Sequence, residues 1–295
     1  MGRTTGRQSV VRIQRVPGAG RFYAPAGVGR QAIARPAGGA SGARHFSPRP
    51  KGIFMNIVLL HGSWHGAWCW HKVVPLLQAR GHQVHVPDLP AHGRHWRVAR
   101  GRTTLSAMAA HVCRVLDALD GPALIVAHSR GGIVASTVAE LRHHKLVGVT
   151  YLAAYMLRHG ERVTDFFRQD KASLVGRNIH VSRSTLTDHL APEAYRPALY
   201  ADCSDADVAL AQALLTPEPS LPALTRLRLT TPRYGSVPRH YIELTQDRAV
   251  TIDLQRKMIA ASPCATVSSI EASHSAYFSQ PQRLADTVHQ IAGFR

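Results

Sequence analysis

Carboxylates are scarce in this chain, and its first 87 residues hold none: the first acidic side chain is Asp88. The 295 residues carry 36 Lys and Arg against 18 Asp and Glu, a formal net charge of +18. Ten of the basic residues fall within 1–54, among many Gly, Ala and Pro. Such a segment buries too little apolar surface to offset the entropy lost on ordering, so 1–54 is expected to be a disordered basic extension ahead of one domain at 55–295. It reads either as a stretch upstream of a natural start at Met55 or as an organelle transit peptide, being Arg-rich and acid-poor. Also absent are the uninterrupted apolar core of a secretory signal, a twin arginine and any run long enough to span a membrane, which leaves the cytoplasm as the default location. Cysteine is sparse too: Cys69, Cys113, Cys203 and Cys264 are scattered without Cys-x-x-Cys spacing. That argues against both a zinc site and a disulfide framework. The basic excess that remains beyond residue 54 comes with no nucleic-acid motif, so nucleic acid is not an expected partner. There are no internal repeats.

What is present is alternation. Strand patterns near 56–60, 83–87, 124–127, 146–152, 240–244 and 266–270 alternate with helix patterns near 70–79, 105–119, 132–141, 252–260 and 281–291. The second helix shows the period well, with Leu105, Met108, Val112, Val115, Leu116 and Leu119 on one face. This order predicts an α/β fold, a mostly parallel sheet covered by helices on both faces. Residues 156–237 break the alternation and are too long for a simple loop. They include a helix pattern from Asp205 with Ser204 as its N-cap and Asp207 three residues on.

The most informative stretch is Ala127-His128-Ser129-Arg130-Gly131. Leu124, Ile125 and Val126 read as a strand buried on both faces, and an amphipathic helix pattern starts just after Gly132. The chain must reverse between them within a few residues, and small neighbours around one serine permit that. The usual pattern has glycine in the first position, and Ala127 departs from it mildly. A serine hydroxyl needs a base within hydrogen-bond reach and a third group to fix that base's tautomer. Asp247 follows the strand pattern at 240–244, and His274 follows the one at 266–270. Both therefore fall at carboxyl ends of strands, where open α/β sheets gather functional residues. Each has a bland reading, the aspartate as a turn former and the histidine as one solvated residue among 18. Their joint order after the serine favours a triad of Ser129, His274 and Asp247, with Asp253 as the other carboxylate to weigh.

An oxyanion hole completes such chemistry. The backbone N–H of Arg130, at a helix start, is one candidate donor. The other is the N–H of Ser63, in the loop His61-Gly62-Ser63-Trp64-His65-Gly66 after the first strand. The competing reading of that loop is a plain strand-to-helix turn.

Taken with Ala67-Trp68-Cys69-Trp70, Tyr151-Leu152-Ala153-Ala154, the run Tyr241-Ile242-Glu243-Leu244-Thr245-Gln246-Asp247-Arg248-Ala249 and Ser273-His274, these motifs resemble the α/β-hydrolase superfamily. Within it the chain is similar to the methylesterase and hydroxynitrile lyase branch with its bacterial esterase relatives, from about Met55 onward. The resemblance implies an α/β-hydrolase fold with a helical cap at about 156–237. It also implies cofactor-free, metal-free cleavage of a small carboxylic ester through an acyl-enzyme. Phe166, Phe167 and Leu214 are candidates for an acyl or alcohol pocket, or equally for the cap's own core. Plant hydroxynitrile lyases of this group carry an acidic residue before the nucleophile, a threonine in the oxyanion loop and a lysine after the catalytic histidine. Here those places hold His128, Gly62 and Ser275, a pattern that looks like an esterase. Cyanohydrin cleavage and non-catalytic small-molecule binding remain the alternatives, and the oligomeric state stays open, a homodimer included.

Overall fold

The computed structural model describes residues 55–97 and 102–293. The expectations for 1–54, disorder and a transit peptide, lie outside the described residues. In chain order the strands are β1 Asn56–Leu60, β2 Gln83–His85, β3 Ala123–His128, β4 Leu146–Leu152, β5 Ile179–Ser182, β6 Thr187–Leu190, β7 Glu218–Pro219, β8 Arg239–Leu244 and β9 Thr266–Ile270. The α-helices are α1 Val73–Ala79, α2 Leu105–Asp117, α3 Gly131–Arg142, α4 Val163–Phe167, α5 Leu174–Asn178, α6 Asp205–Leu214, α7 Leu221–Leu224, α8 Ile252–Ala261, α9 Ala276–Ser279 and α10 Pro281–Gly293.

Six strands form one parallel sheet in the order β2-β1-β3-β4-β8-β9. Its inner strands β1 and β3 are buried along their whole length, which is why they read as unbroken apolar runs. The edge strand β9 alternates instead, and its Val267 faces outward. Strand order reverses between β1 and β3: the chain leaves β1 toward β2 on one side and returns to place β3 on the other. Loops at the carboxyl ends of two strands separate at such a switch point and leave a crevice. The two loops here carry Ser63 and Ser129.

Helix α3 lies against the centre of the sheet with nine of its residues buried. It comes that close because its first two residues lack side chains. A Cβ on Gly131 would stand 2.7 Å from the His61 carbonyl oxygen, and one on Gly132 would stand 2.5 Å from that of Tyr155. Helix α2 buries Leu105, Met108, Val112 and Leu116, and its N-cap Thr104 accepts from the Ala107 N–H. Each fully buried Leu or Met of this kind contributes about 1.5–3 kcal/mol relative to exposure.

Two local expectations change. The helix expected over 70–79 is a 3-10 turn at Ala67–Trp70 followed by α1 from Val73. Pro75 accounts for the break, since its ring would collide with the His71 carbonyl in a continuous helix. Between β4 and β8 the expected helical cap holds helices α4 to α7 and also a three-stranded antiparallel sheet, β5-β6-β7. These strands are two to four residues long, too short to show a period in sequence. Helix α6 starts as read, with Ser204 accepting from the Asp207 N–H. Among the described residues no helix is long and apolar enough to cross a membrane.

Candidate active site

Ser129 follows the last residue of β3 and adopts φ +54, a left-handed conformation that non-glycine residues rarely take. Strain of this kind costs about 1–3 kcal/mol and persists only where neighbours enforce it. Here the Ser129 N–H donates to the Leu152 carbonyl at 3.2 Å, and its own carbonyl accepts from Tyr155 at 3.0 Å and Gly132 at 3.1 Å. The sharp turn places the serine at the switch point. Arg130 is the N-cap of α3, where backbone N–H groups lack intrahelical acceptors and the helix dipole favours negative charge.

Asp247 and His274 meet directly: His274 Nδ1 lies 2.7 Å from Asp247 Oδ2, both side chains buried. The other carboxylate oxygen accepts from the Ala249 N–H at 2.7 Å and the Val250 N–H at 3.0 Å. An ionised acceptor-only carboxylate therefore holds the imidazole with its proton on Nδ1, leaving Nε2 as the basic nitrogen. Gln255 fixes the acid loop by donating to the Leu244 and Val250 carbonyls and accepting from the Leu244 N–H. Asp253 is exposed on the first turn of α8 and is not placed against His274. The neighbour of the serine reaches the same loop: His128 Nε2 donates to the His274 carbonyl at 2.9 Å, their rings 4.4 Å apart. Burial, then the charges His274 and His65 would carry, hold His128 neutral, its pKa well below the usual value.

The loop after β1 closes over the serine. A Cβ on Gly62 would stand 2.8 Å from Ser129 Cβ, so the backbone leading to Ser63 touches the nucleophile. Two buried imidazoles brace this loop. His61 accepts from the Leu89 N–H at 3.1 Å, and burial, aided by His92, lowers its pKa to about 4. His65 Nδ1 donates to the Ser63 carbonyl at 2.6 Å, while Nε2 accepts from the hydroxyls of Tyr200 and Tyr277. Burial lowers the His65 pKa to about 3. Ser275 is fully buried and its hydroxyl pairs with Tyr277.

Sequence reasoning missed a second buried cluster, contributed by the segment between β4 and β8. Glu218 Oε2 accepts from the Trp64 N–H at 2.9 Å and from His92 Nε2 at 2.7 Å, and Oε1 lies 3.4 Å from the Arg130 guanidinium. Asp188 accepts from the Trp64 indole at 3.0 Å and faces Arg130 at 3.6 Å. Burial opposes the Glu218 charge, yet His92 and Arg130 outweigh it and hold its pKa at about 2. His92 is raised in turn, Glu218 overcoming the effect of burial. From the same segment Asp202 accepts from the Ser273 N–H at 2.9 Å, beside His274. Of the proposed pocket residues, Phe166 is buried in one core cluster and Phe167 packs, partly buried, against the other. Leu214 is exposed and lines an open groove of about 930 Å³ with Trp68 and Trp96. Among the described residues no three His, Cys, Asp or Glu are arranged to hold a metal ion.

An elbow serine at the switch of a parallel sheet, with an acid and a histidine just after later strands, defines the α/β hydrolases as a class. The alpha/beta hydrolase family model matches residues 57–287. Methylesterase 9 of Arabidopsis thaliana is 33% identical over 249 residues, covering 80% of this chain and 97% of that protein. Salicylic acid-binding protein 2 of Nicotiana tabacum is 30% identical over 251 residues, 80% of this chain and 96% of its own length. A pyrethroid hydrolase from Sphingobium faniae superposes with a TM-score of 0.71 at 27% identity, covering 81% of this chain and 98% of that structure. The chain belongs to the alpha/beta hydrolase family, in its methylesterase-like branch.

Proposed function

We propose that this protein is a serine hydrolase of small carboxylic esters, with Ser129, His274 and Asp247 as its triad. His274 Nε2 takes the Ser129 proton as Oγ adds to the ester carbonyl, and Asp247 stabilises the imidazolium that forms. The N–H groups of Ser63 and Arg130 receive the developing oxyanion. Collapse expels the alcohol, which carries the proton away from His274 and leaves the acyl group on Ser129. Water then enters by the same route in reverse, with His274 again as base, and frees the acid. No step calls on a cofactor.

The observation that carries this reading is the 2.7 Å Asp247–His274 pair, tied to the elbow by the bond from His128, the neighbour of Ser129 at φ +54, to the His274 carbonyl. The relatives' names, methylesterase and pyrethroid hydrolase, support ester cleavage. Cyanohydrin cleavage is disfavoured by Ser275, which brings no charge to the place after His274 and has its hydroxyl held by Tyr277.

The test is an ester panel of aryl and methyl esters, with mandelonitrile alongside. The purified protein is expected to hydrolyse esters, to lose this with Ser129→Ala, and to release no cyanide above the buffer rate. Cyanide release lost on Ser129→Ala would move the chemistry to a lyase. Tight ligand binding with negligible turnover would make it a binding protein.

A further inference from the structure

Trp64, next to the candidate oxyanion donor Ser63, is a bulky residue at φ +63. Nothing in a tryptophan side chain favours that region, so the surroundings must enforce it. Every polar handle of Trp64 is held by the segment between β4 and β8. Its N–H donates to Glu218 at 2.9 Å, its carbonyl accepts from the Thr216 N–H at 2.9 Å, and its indole N–H donates to Asp188 at 3.0 Å. The same two carboxylates flank the guanidinium of Arg130, whose own backbone N–H is the other candidate donor. The cavity among His61, Ser63, His92, Arg130 and Glu218 is about 10 Å³, room for one water and not for a substrate.

We infer that Glu218 and Asp188 are positioning residues of the oxyanion hole, a clamp by which the cap holds the Ser63 and Arg130 N–H groups at one spacing. The cluster touches no substrate. It acts through Trp64 on one donor and through Arg130 on the other, so the hole takes its shape only with this part of the cap docked. A clamp of this kind stabilises the charge that appears in the transition state and leaves ground-state binding alone.

The inference rests on the ester-hydrolase reading. Wild-type ester turnover and its loss in Ser129→Ala are therefore measured first, and failure there overturns that reading. Three variants then test the clamp: Glu218→Met, which removes the acceptor, Glu218→Gln, which keeps an acceptor for the Trp64 N–H, and Trp64→Phe, which removes the indole donor and keeps a smaller aromatic ring. Each is followed by kcat, KM and the affinity of a trifluoromethyl ketone, whose serine adduct places an oxyanion in the hole. Glu218→Met is expected to lower kcat about ten- to a hundredfold, less than the loss of a donor itself, with KM within about twofold. Inhibitor affinity should fall by the same factor. Glu218→Gln should retain more activity than Glu218→Met, and Trp64→Phe should lose a few-fold. Should Glu218→Met fail to fold, the other two carry the same comparison. Folded variants with wild-type kcat, or a loss confined to KM, would overturn the inference.

Discussion

Asp247 and Glu218 are both buried carboxylates within reach of a histidine, yet their surroundings differ in one respect that decides what each can do. Asp247 has two backbone N–H donors on one oxygen and His274 on the other, and it engages the imidazole through Nδ1 alone. The second ring nitrogen is left for chemistry. Around Glu218 and Asp188 all four carboxylate oxygens are taken, by Trp64, His92, Arg130 and Ser220, and His92 is bound at both ring nitrogens, Nε2 to Glu218 and Nδ1 to the Pro90 carbonyl. A saturated cluster holds geometry, whereas one with a basic nitrogen to spare can move a proton. On the proposed reading, two buried acid–imidazole pairs in one molecule separate a reacting site from the frame that shapes it.

Substitutions should split along that line. Ser129→Ala removes the reacting atom, and the largest loss is expected there, roughly 10⁴-fold or more in kcat, leaving only what binding and the oxyanion hole supply. Asp247→Asn keeps the shape but favours the wrong imidazole tautomer. Turnover is expected to fall roughly 10³- to 10⁴-fold with the circular dichroism spectrum unchanged, whereas near-normal kcat would move the acid role elsewhere. The clamp variants come below these, as argued above.

Acid should expose the same contrast in stability. His61 and His65 are neutral when folded, with pKa values near 4 and 3, against 6.5 for the free side chain. Below about pH 6.5 the unfolded chain takes up protons that the native one refuses, so these two residues lower stability progressively down to about pH 4. His92 has the opposite sign: its raised pKa adds stability that is present below its unfolded value and lost as pH rises through the folded one. His128 is lowered as well, and the His92 contribution is already complete below about pH 6.5, so the melting temperature should drop between pH 6.5 and 4 in a thermal titration. A flat profile would mean that His61 and His65 are not buried as described.

The candidate triad could be picked out in the sequence because local chemistry constrains where such residues stand. Ser129 needs small neighbours and two close-approach glycines, and Asp247 and His274 follow strands marked by aromatic and β-branched residues, Tyr241 and Ile242 in β8 and Thr266, Val267 and Ile270 in β9. The framing half was not legible, because nothing in the sequence marks Asp188 and Glu218 as neighbours of the Arg130 side chain. Their pairing depends on the cap bringing residues 58 and 88 positions apart in sequence against one guanidinium. The cap's own sheet escaped for a related reason: β5, β6 and β7 bury too few residues to leave a pattern. Phe166 shows the limit from the other side, since an apolar residue in a cap can face a pocket or the core, and here it faces the core.

The central claim, that Ser129 is the nucleophile, is tested most directly by mass spectrometry of the protein treated with a fluorophosphonate. The account expects one adduct per chain, placed on Ser129 in the peptide map, with ester turnover lost in step with labelling. An adduct on another serine, or full labelling of the Ser129→Ala variant, would contradict it.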